Sequence, residues 1–429
     1  MKIVIAGYGV EGQSNLVYFQ QKFPEAELLV ADERSEAEIF DKIPANISVR
    51  LGENVFSEQL NDLEAGDMII RSPSLPPRHI SSAAKIWSAT NEFFAECPAP
   101  IIGVTGTKGK GTVCGLITSI LQATGKKIHL VGNIGTPALD VLPKITPDDI
   151  VVYELSSFQL WDLERSPHIA VVLMIEPDHL DKHADFADYL TAKSNICRHQ
   201  SKNDKVIFNQ NNRYSYDIAH QSLAQKIAYP TEITPAMQQS LRLPGEHNLE
   251  NASAAILAVQ AILPDITNEI ICQGLVGFTG LPHRLKFMTE KNGIKWYDDS
   301  ISTTPGSAIA ALKAFDAPKV LLLGGYDKGA DYTELSELIA ESDSVRAVIL
   351  MGDNAEKIAN SLRKAHFDTA KIIDRGTVSM SEVVETARTV AKSGDVVILS
   401  PAAASFDQYK NYSDRGEQFV AAVEVLNEY

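Results

Sequence analysis

The sequence predicts three consecutive α/β domains, each built on a largely parallel sheet. Three observations carry this expectation. Short apolar runs alternate with helical patterns almost throughout. A chain of 429 residues is longer than one hydrophobic core usually serves. The alternation is also interrupted twice, at the prolines of "NEFFAECPAP" and at "TGLPHRLKF", residues 279–287. The expected domains are 1–96, 97–282 and 283–429, the last break being a natural hinge.

In the first unit, strands are expected at 2–6 ("KIVIA"), 27–31 ("ELLVA"), 47–51 ("ISVRL") and 67–71 ("DMIIR"). The second should carry them at 101–104, 127–131, 150–154 and 168–175. "GIKWYDDS", "KVLLLGG", "RAVILMG", "AKIID" and "DVVILSP" supply the third. No internal repeat or low-complexity segment interrupts the pattern.

Composition narrows the function. Hydrophobic residues make up 45% and charged residues 22%, as in an ordinary soluble protein. The formal net charge of −16 argues against nucleic acid or an anionic membrane as the main partner, since phosphate contacts need a basic face. An anionic small molecule can still bind where lysines, arginines and backbone amides gather locally. Cys97, Cys114, Cys197 and Cys272 show no metal-ligand spacing and read as reduced thiols. No apolar run approaches the roughly 20 residues of a membrane span, and the opening "MKIVIAGYG" suits a first strand better than a leader. A monomer in the cytoplasm is expected.

Two glycine loops compete as the nucleotide site. Gly7, Gly9 and Gly12 form G-x-G-x-x-G after a strand, and Asp32 ends the next strand. This pattern is compatible with a dinucleotide site, with a tight turn only, or with a nucleotide-sugar site using the same amides on a diphosphate. "ADER" (31–34) and "RSPSLPP" (71–77) fall at strand ends, where open sheets bind ligands.

The second loop, "GVTGTKGKGTVCG", lies between an apolar strand and an amphipathic helix. Its successive N–H groups suit phosphate oxygens, and Lys110 is placed to offset their charge. The strict G-x-x-x-x-G-K-[ST] pattern is not met. Gly103 comes one residue early, and Gly111 stands where a hydroxyl should, leaving Thr112 as the Mg²⁺ hydroxyl. Glu154 ends one apolar strand, where a carboxylate can hold Mg²⁺. Asp178, His179 and Asp181 follow another, and Lys193 sits in "YLTAKSNI".

Together these residues resemble the Mur ligase family of ATP-dependent amide-forming enzymes, over essentially the whole chain. "GTKGKGT" is similar to that family's P-loop, "NIGTPAL" to its central substrate loop, "ELSSFQL" to its metal-glutamate segment and "PDHLDKH" to its catalytic histidine region. "YLTAKSNI" resembles the site of its carbamylated lysine, "GEHNLENASAA" its adenine-side asparagines and "LPHRL" the His-Arg that enters its C-terminal domain. The implied catalytic residues are Lys110, Glu154, His179 and Lys193. Implied ATP contacts are Gly106, Thr107, Lys108, Gly109, Lys110, Gly111, Thr112, Asn248, Asn251, His283, Arg284 and Asp299. Mg²⁺ would fall to Thr112, Glu154, His179 and Lys193.

Within the family, the chain resembles the glutamate-adding members. The implied architecture is a Rossmann-like UDP-binding domain, a central P-loop ATPase-like domain and a C-terminal Rossmann-like domain. UDP-substrate contacts are then expected at Gly9, Val10, Glu11, Asp32, Arg34, Ser72, Pro73 and Asn133. "VILSPAAASFDQYKNYSDRG" resembles a glutamate-binding loop, implying contacts from Ser405 and Tyr412, and "LGGYDKGADY" implies Lys328. Thr303 is the expected carboxylate contact in "YDDSISTTPGS", although Ile301 replaces a lysine common in that branch.

The implied reaction phosphorylates the carboxylate of UDP-N-acetylmuramoyl-L-alanine with ATP. The amine of glutamate, expected as the D form with the L form open, then displaces phosphate. His179 or a nearby carboxylate would be the base. A folylpolyglutamate synthetase-like ligase is the rival, but about 100 residues precede the P-loop and read as a full domain that such enzymes lack. A non-catalytic scaffold would be expected to have lost Lys110, Glu154, His179 or Lys193, and all four are present.

Overall fold

The computed structural model describes residues 1–34, 43–133, 137–243 and 245–426. Part of "NIGTPAL" (134–136) falls outside them. The chain divides into two compact units, residues 1–241 with 247–278, and 242–246 with 279–429.

The first unit holds two sheets. β1 (Lys2–Ala6), β2 (Glu27–Asp32), β3 (Ser48–Leu51), β4 (Met68–Arg71) and β5 (Lys85–Ser88) form the first, in the order β3-β2-β1-β4-β5. All of its pairings are parallel. β6 (Ile101–Thr105), β7 (Ile128–Gly132), β8 (Ile150–Glu154), β9 (Ile169–Val172), β10 (Lys205–Asn209) and β11 (Gln225–Tyr229) form the second, in the order β11-β10-β9-β6-β8-β7. It too is wholly parallel. β6, β8 and β9 are buried along their whole length, which is why they read as continuous apolar runs.

One apolar cluster serves both sheets, running from Ile3, Ile5 and Phe19 through Phe93 to Val151, Tyr153 and Val172. Phe93 and Phe94, on the helix Ala89–Glu96, meet the Tyr153 ring at 5.3 and 5.6 Å. This shared core explains why two expected domains pack as one unit.

The second unit carries β12 (Lys286–Lys291), β13 (Ile294–Asp298), β14 (Lys319–Gly324), β15 (Val345–Met351), β16 (Ile372–Asp374) and β17 (Val396–Leu399). Their order is β12-β13-β17-β14-β15-β16. Only β12 and β13 pair antiparallel. Apolar clusters cover both faces, one around Leu321, Leu323 and Ile398 and the other around Trp296, Leu322 and Val397.

Four strands were not expected from sequence. β12 starts inside the supposed linker, and the Asn292-Gly293 turn that joins it to β13 has both φ angles positive, at +54° and +74°. That geometry matches the twist of a hairpin. β5, β10 and β11 are short and carry exposed or half-buried positions, which blurs their apolar pattern. Conversely, the strand expected at 168–175 ends at Val172.

Candidate functional site

In the second sheet β6 lies between β8 and β9, so successive connections diverge at its C-terminal end. Open α/β sheets bind ligands at such a point. Val104 is in register with Glu154, and Thr105 with Val172. Residues 106–112, Glu154 and the segment after Val172 therefore emerge side by side.

The loop 106–109 turns through Gly106 (φ +156°) and Gly109 (φ +84°), and the helix Lys110–Gln122 begins directly after it. A Cβ on Gly109 would stand 2.7 Å from Asn251 Oδ1, so the expected adenine-side asparagine does reach this loop. Asn251 Nδ2 donates in turn to Asn248 Oδ1 at 3.1 Å. Thr107 Oγ1 donates to Glu176 O (3.1 Å), accepts from Glu176 N (3.0 Å) and lies 2.9 Å from Tyr189 Oη. Lys110 Nζ donates to Gly106 O (3.0 Å) and Thr107 O (3.1 Å). Lys108 is exposed, with Nζ 3.5 Å from Glu176. A glycine cradle, a helix N-terminus and a lysine together suit a polyphosphate.

Glu154 is buried, and Oε1 accepts from Asn133 Nδ2 at 3.2 Å. An expected metal residue and an expected UDP-substrate residue thus touch. The half-buried Thr112 hydroxyl and the Glu154 carboxylate are hard oxygen donors of the kind Mg²⁺ takes. Among the described residues no group of three or more His, Cys, Asp and Glu side chains could hold a metal ion. The donor set therefore fits an ion that keeps phosphate and water ligands.

Lys193 lies in the helix Phe186–Arg198 and is 1% exposed. Its Nζ donates to Gly106 O at 2.9 Å and Thr105 Oγ1 at 3.3 Å, 4.7 Å from the Tyr189 ring centroid. Burial, and then the charge of Lys110, push its ammonium well below the ordinary lysine range. His179 holds a left-handed φ of +53°, uncommon for a residue with a side chain. Its side chain is 49% exposed, with Nε2 3.6 Å from Asp178 and the ring 4.9 Å from Phe158.

Two buried residues beside these carried no expected role. His183 Nδ1 lies 3.0 Å from Asp188 Oδ2 and Nε2 lies 3.0 Å from Ser157 Oγ. Arg71 is fully buried: Nε donates to Asp162 Oδ2 at 2.7 Å, Nη2 to Phe158 O at 2.9 Å and Nη1 to Ser72 O at 3.2 Å. It ties "RSPSLPP" to the segment after Glu154. An arginine closing an apolar strand was the available signal.

On the first sheet, Gly7 (φ +92°) and Gly9 precede the helix Val10–Lys22. A Cβ on Gly7 would meet Ser72 Oγ at 2.4 Å, so the first glycine loop and Ser72-Pro73 are neighbours. Asp32 accepts from Tyr8 N (2.7 Å) and from Arg34 Nε (2.9 Å) and Nη2 (2.8 Å). Burial alone would raise the Asp32 pKa, but these bonds and the Arg34 charge bring it down to about 2.

Glu11 behaves oppositely. Burial outweighs the nearby Arg71 and lifts its pKa to about 7, and Oε1 is buried without a hydrogen-bond partner. Asn15, one turn on, is 1% exposed with both amide atoms unpartnered. An acid whose folded pKa is raised weakens the fold as pH climbs from the unfolded value through the folded one. Glu11→Gln should therefore match the parent near pH 4 and exceed it at pH 8 by on the order of 2 kcal/mol. Denaturant melts at the two pH values would show this.

In the second unit, His283 and Leu285 both hold positive φ, at +60° and +42°, around the exposed Arg284. His283 Nδ1 lies 2.7 Å from Asp298 Oδ2. Asp299 is buried and takes Ser302 Oγ, Ser400 Oγ (2.8 Å) and Leu285 N (2.9 Å); burial raises its pKa to about 6 against those bonds. Here it anchors the turn that carries Arg284. Lys328 is exposed, its Nζ 5.1 Å from the Phe406 ring centroid. Ser405 is buried, Thr303 half-buried and Tyr412 39% exposed.

Comparison with known proteins gives the family. Residues 104–234 match the Mur ligase middle domain, and 283–403 match the Mur ligase glutamate ligase domain. The UDP-N-acetylmuramoylalanine--D-glutamate ligase of Clostridium kluyveri is 35% identical, covering 97% of this chain and 95% of that one. The fold is similar to MurF of Acinetobacter baumannii, with TM-score 0.60, 18% identity and coverage of 92% and 85%. It is also similar to Mycobacterium tuberculosis folylpolyglutamate synthase complexed with ADP, with TM-score 0.57, 14% identity and coverage of 80% and 94%. With both domain types and a near full-length relative, the chain belongs to the Mur ligase family.

Proposed function

We propose that the protein is an ATP-dependent, ADP-forming ligase that adds D-glutamate to UDP-N-acetylmuramoyl-L-alanine in the cytoplasm, acting as a monomer. The observation that carries this reading is the 35% identity, over 97% of the chain, to a ligase of that name. Its three functional regions are taken as 1–96 for the UDP substrate, 97–282 for ATP and 283–429 for glutamate.

The glycine cradle at 106–109 and Lys110 receive the β- and γ-phosphates. The substrate carboxylate must approach an anionic γ-phosphate, so cations there lower the barrier. Mg²⁺, when bound through Thr112 and Glu154, would offset phosphate charge. Lys193, whose charged form burial disfavours, is the amine proposed to attack CO₂, forming an N–C bond and releasing one proton to solvent. The resulting carboxylate gives the site an anionic oxygen donor where an ammonium would repel a cation. His179, or Asp178 beside it, takes the proton of the attacking glutamate amine. Arg284 is assigned to the γ-phosphate, with Thr303, Lys328, Ser405 and Tyr412 on glutamate.

Thr112→Ala should raise the Mg²⁺ concentration for half-maximal rate about 10-fold, as expected for a lost ligand worth roughly 1.4 kcal/mol. An unchanged Mg²⁺ titration would remove Thr112 from the metal set. The acyl-phosphate route is tested by labelling the substrate carboxylate with heavy oxygen. One labelled oxygen should appear in the released phosphate, and label retained wholly in the amide and water would exclude that route.

A further inference from the structure

Arg415 is fully buried in the second unit. Among the described residues it forms no ion pair with a carboxylate, although Asp407, Asp298 and Tyr409 act on it at longer range. Instead its guanidinium donates to backbone and hydroxyl oxygens. Nε reaches Ser300 Oγ at 3.0 Å and Nη2 reaches Ser300 O at 2.8 Å. Nη1 reaches Ala403 O at 3.1 Å and Ala404 O at 3.2 Å.

Each contact leads to a segment assigned to glutamate. Ser300 Oγ donates to Tyr412 O at 2.8 Å, and Thr303 is three residues beyond Ser300. Ala404 immediately precedes Ser405, and Ala402, at the start of that loop, holds a left-handed φ of +57°. Ala404 O also accepts from Tyr326 N at 2.9 Å, two residues before Lys328. One rigid fork therefore fixes the backbone beside all four expected glutamate contacts. Burying a cation without a paired acid is costly, and apolar side chains could fill the same volume at less expense. Retaining the charge makes sense where a ligand with two carboxylates has to be drawn in.

We propose that Arg415 is the positioning residue of the glutamate site, setting the loops at 300–303, 326–328, 403–405 and Tyr412 and biasing that surface positive. The inference rests on the glutamate reading above and goes beyond it, because Arg415 itself need not touch the ligand.

The test is steady-state kinetics of the full chain with each of the three substrates varied. The parent must first turn over D-glutamate; failure there overturns the functional reading, and the Arg415 proposal with it. In Arg415→Lys the charge stays but the fork is lost. The KM for D-glutamate should then rise about 10-fold or more, matching the roughly 1.5–3 kcal/mol of charged hydrogen bonds. KM for ATP and for the UDP substrate should stay within about 2-fold, a split that general destabilisation would not give. Equal shifts in all three, or none, overturn the proposal. Should Arg415→Lys fail to fold, Ser300→Ala decides. It removes one Arg415 bond and the tie to Tyr412, and should raise the glutamate KM alone by about 3-fold. An unchanged glutamate KM there overturns the proposal as well.

Discussion

Lys193→Met is expected to lower kcat about 1,000-fold while leaving the fold at least as stable as the parent. The two halves come from one observation. A lysine 1% exposed, bonded to Gly106 O and facing the charge of Lys110, is held against its preferred protonation state. Chemically, that favours the neutral amine, the form the proposed reaction with CO₂ needs. Thermodynamically, it is a burden: a lysine with a depressed folded pKa lets stability rise with pH until the unfolded lysine deprotonates near about 10.4. The gain in Tm for Lys193→Met should accordingly be largest at neutral and acidic pH and shrink towards pH 10. Melts across that range, with isotopically labelled bicarbonate NMR on the parent and the variant, test both halves. A variant retaining a tenth or more of the parent kcat would remove Lys193 from the mechanism.

Lys110→Gln comes second in expected effect. A unit charge about 4 Å from a phosphate oxygen is worth roughly 4 kcal/mol at an effective dielectric of 20, or about 1,000-fold in rate. Lys110 Nζ also holds Gly106 O and Thr107 O, so the loop that presents the phosphate amides loses a brace. The fall should appear in kcat and in the affinity for ATP, with the KM for glutamate little changed. A loss below about 10-fold would mean that another cation carries the phosphate charge.

How far the sequence could be read depended on how each residue announces its role. Fully buried strands such as "IIGVT" and "IVVYE" stand out as apolar runs, and they place the phosphate loop and Glu154 at the same sheet edge. Asn251 was legible only through family resemblance, because its approach to Gly109 depends on a helix more than a hundred residues away in sequence. Short strands with exposed positions, such as "QKIAY", were not legible, and neither was the Asn-Gly hairpin inside a supposed linker. Buried charges were the other blind spot. Arg71 closes an apolar strand and Arg415 lies in the expected glutamate-loop segment, but only the packing shows them buried and tying loops together. Glu11 and Asn15 likewise gave no sign that they would hold buried polar atoms without hydrogen-bond partners.

The identity of the joined amino acid separates D-glutamate from L-glutamate addition. The direct measurement is phosphate release from ATP in the presence of UDP-N-acetylmuramoyl-L-alanine, with D-glutamate and L-glutamate supplied separately. Turnover with D-glutamate and none with L-glutamate is the expected result. It would show that the chain joins D-glutamate with Ile301 in place of the lysine common in the glutamate-adding branch. Turnover confined to L-glutamate, or absent with both, would overturn the assignment of D-glutamate as substrate.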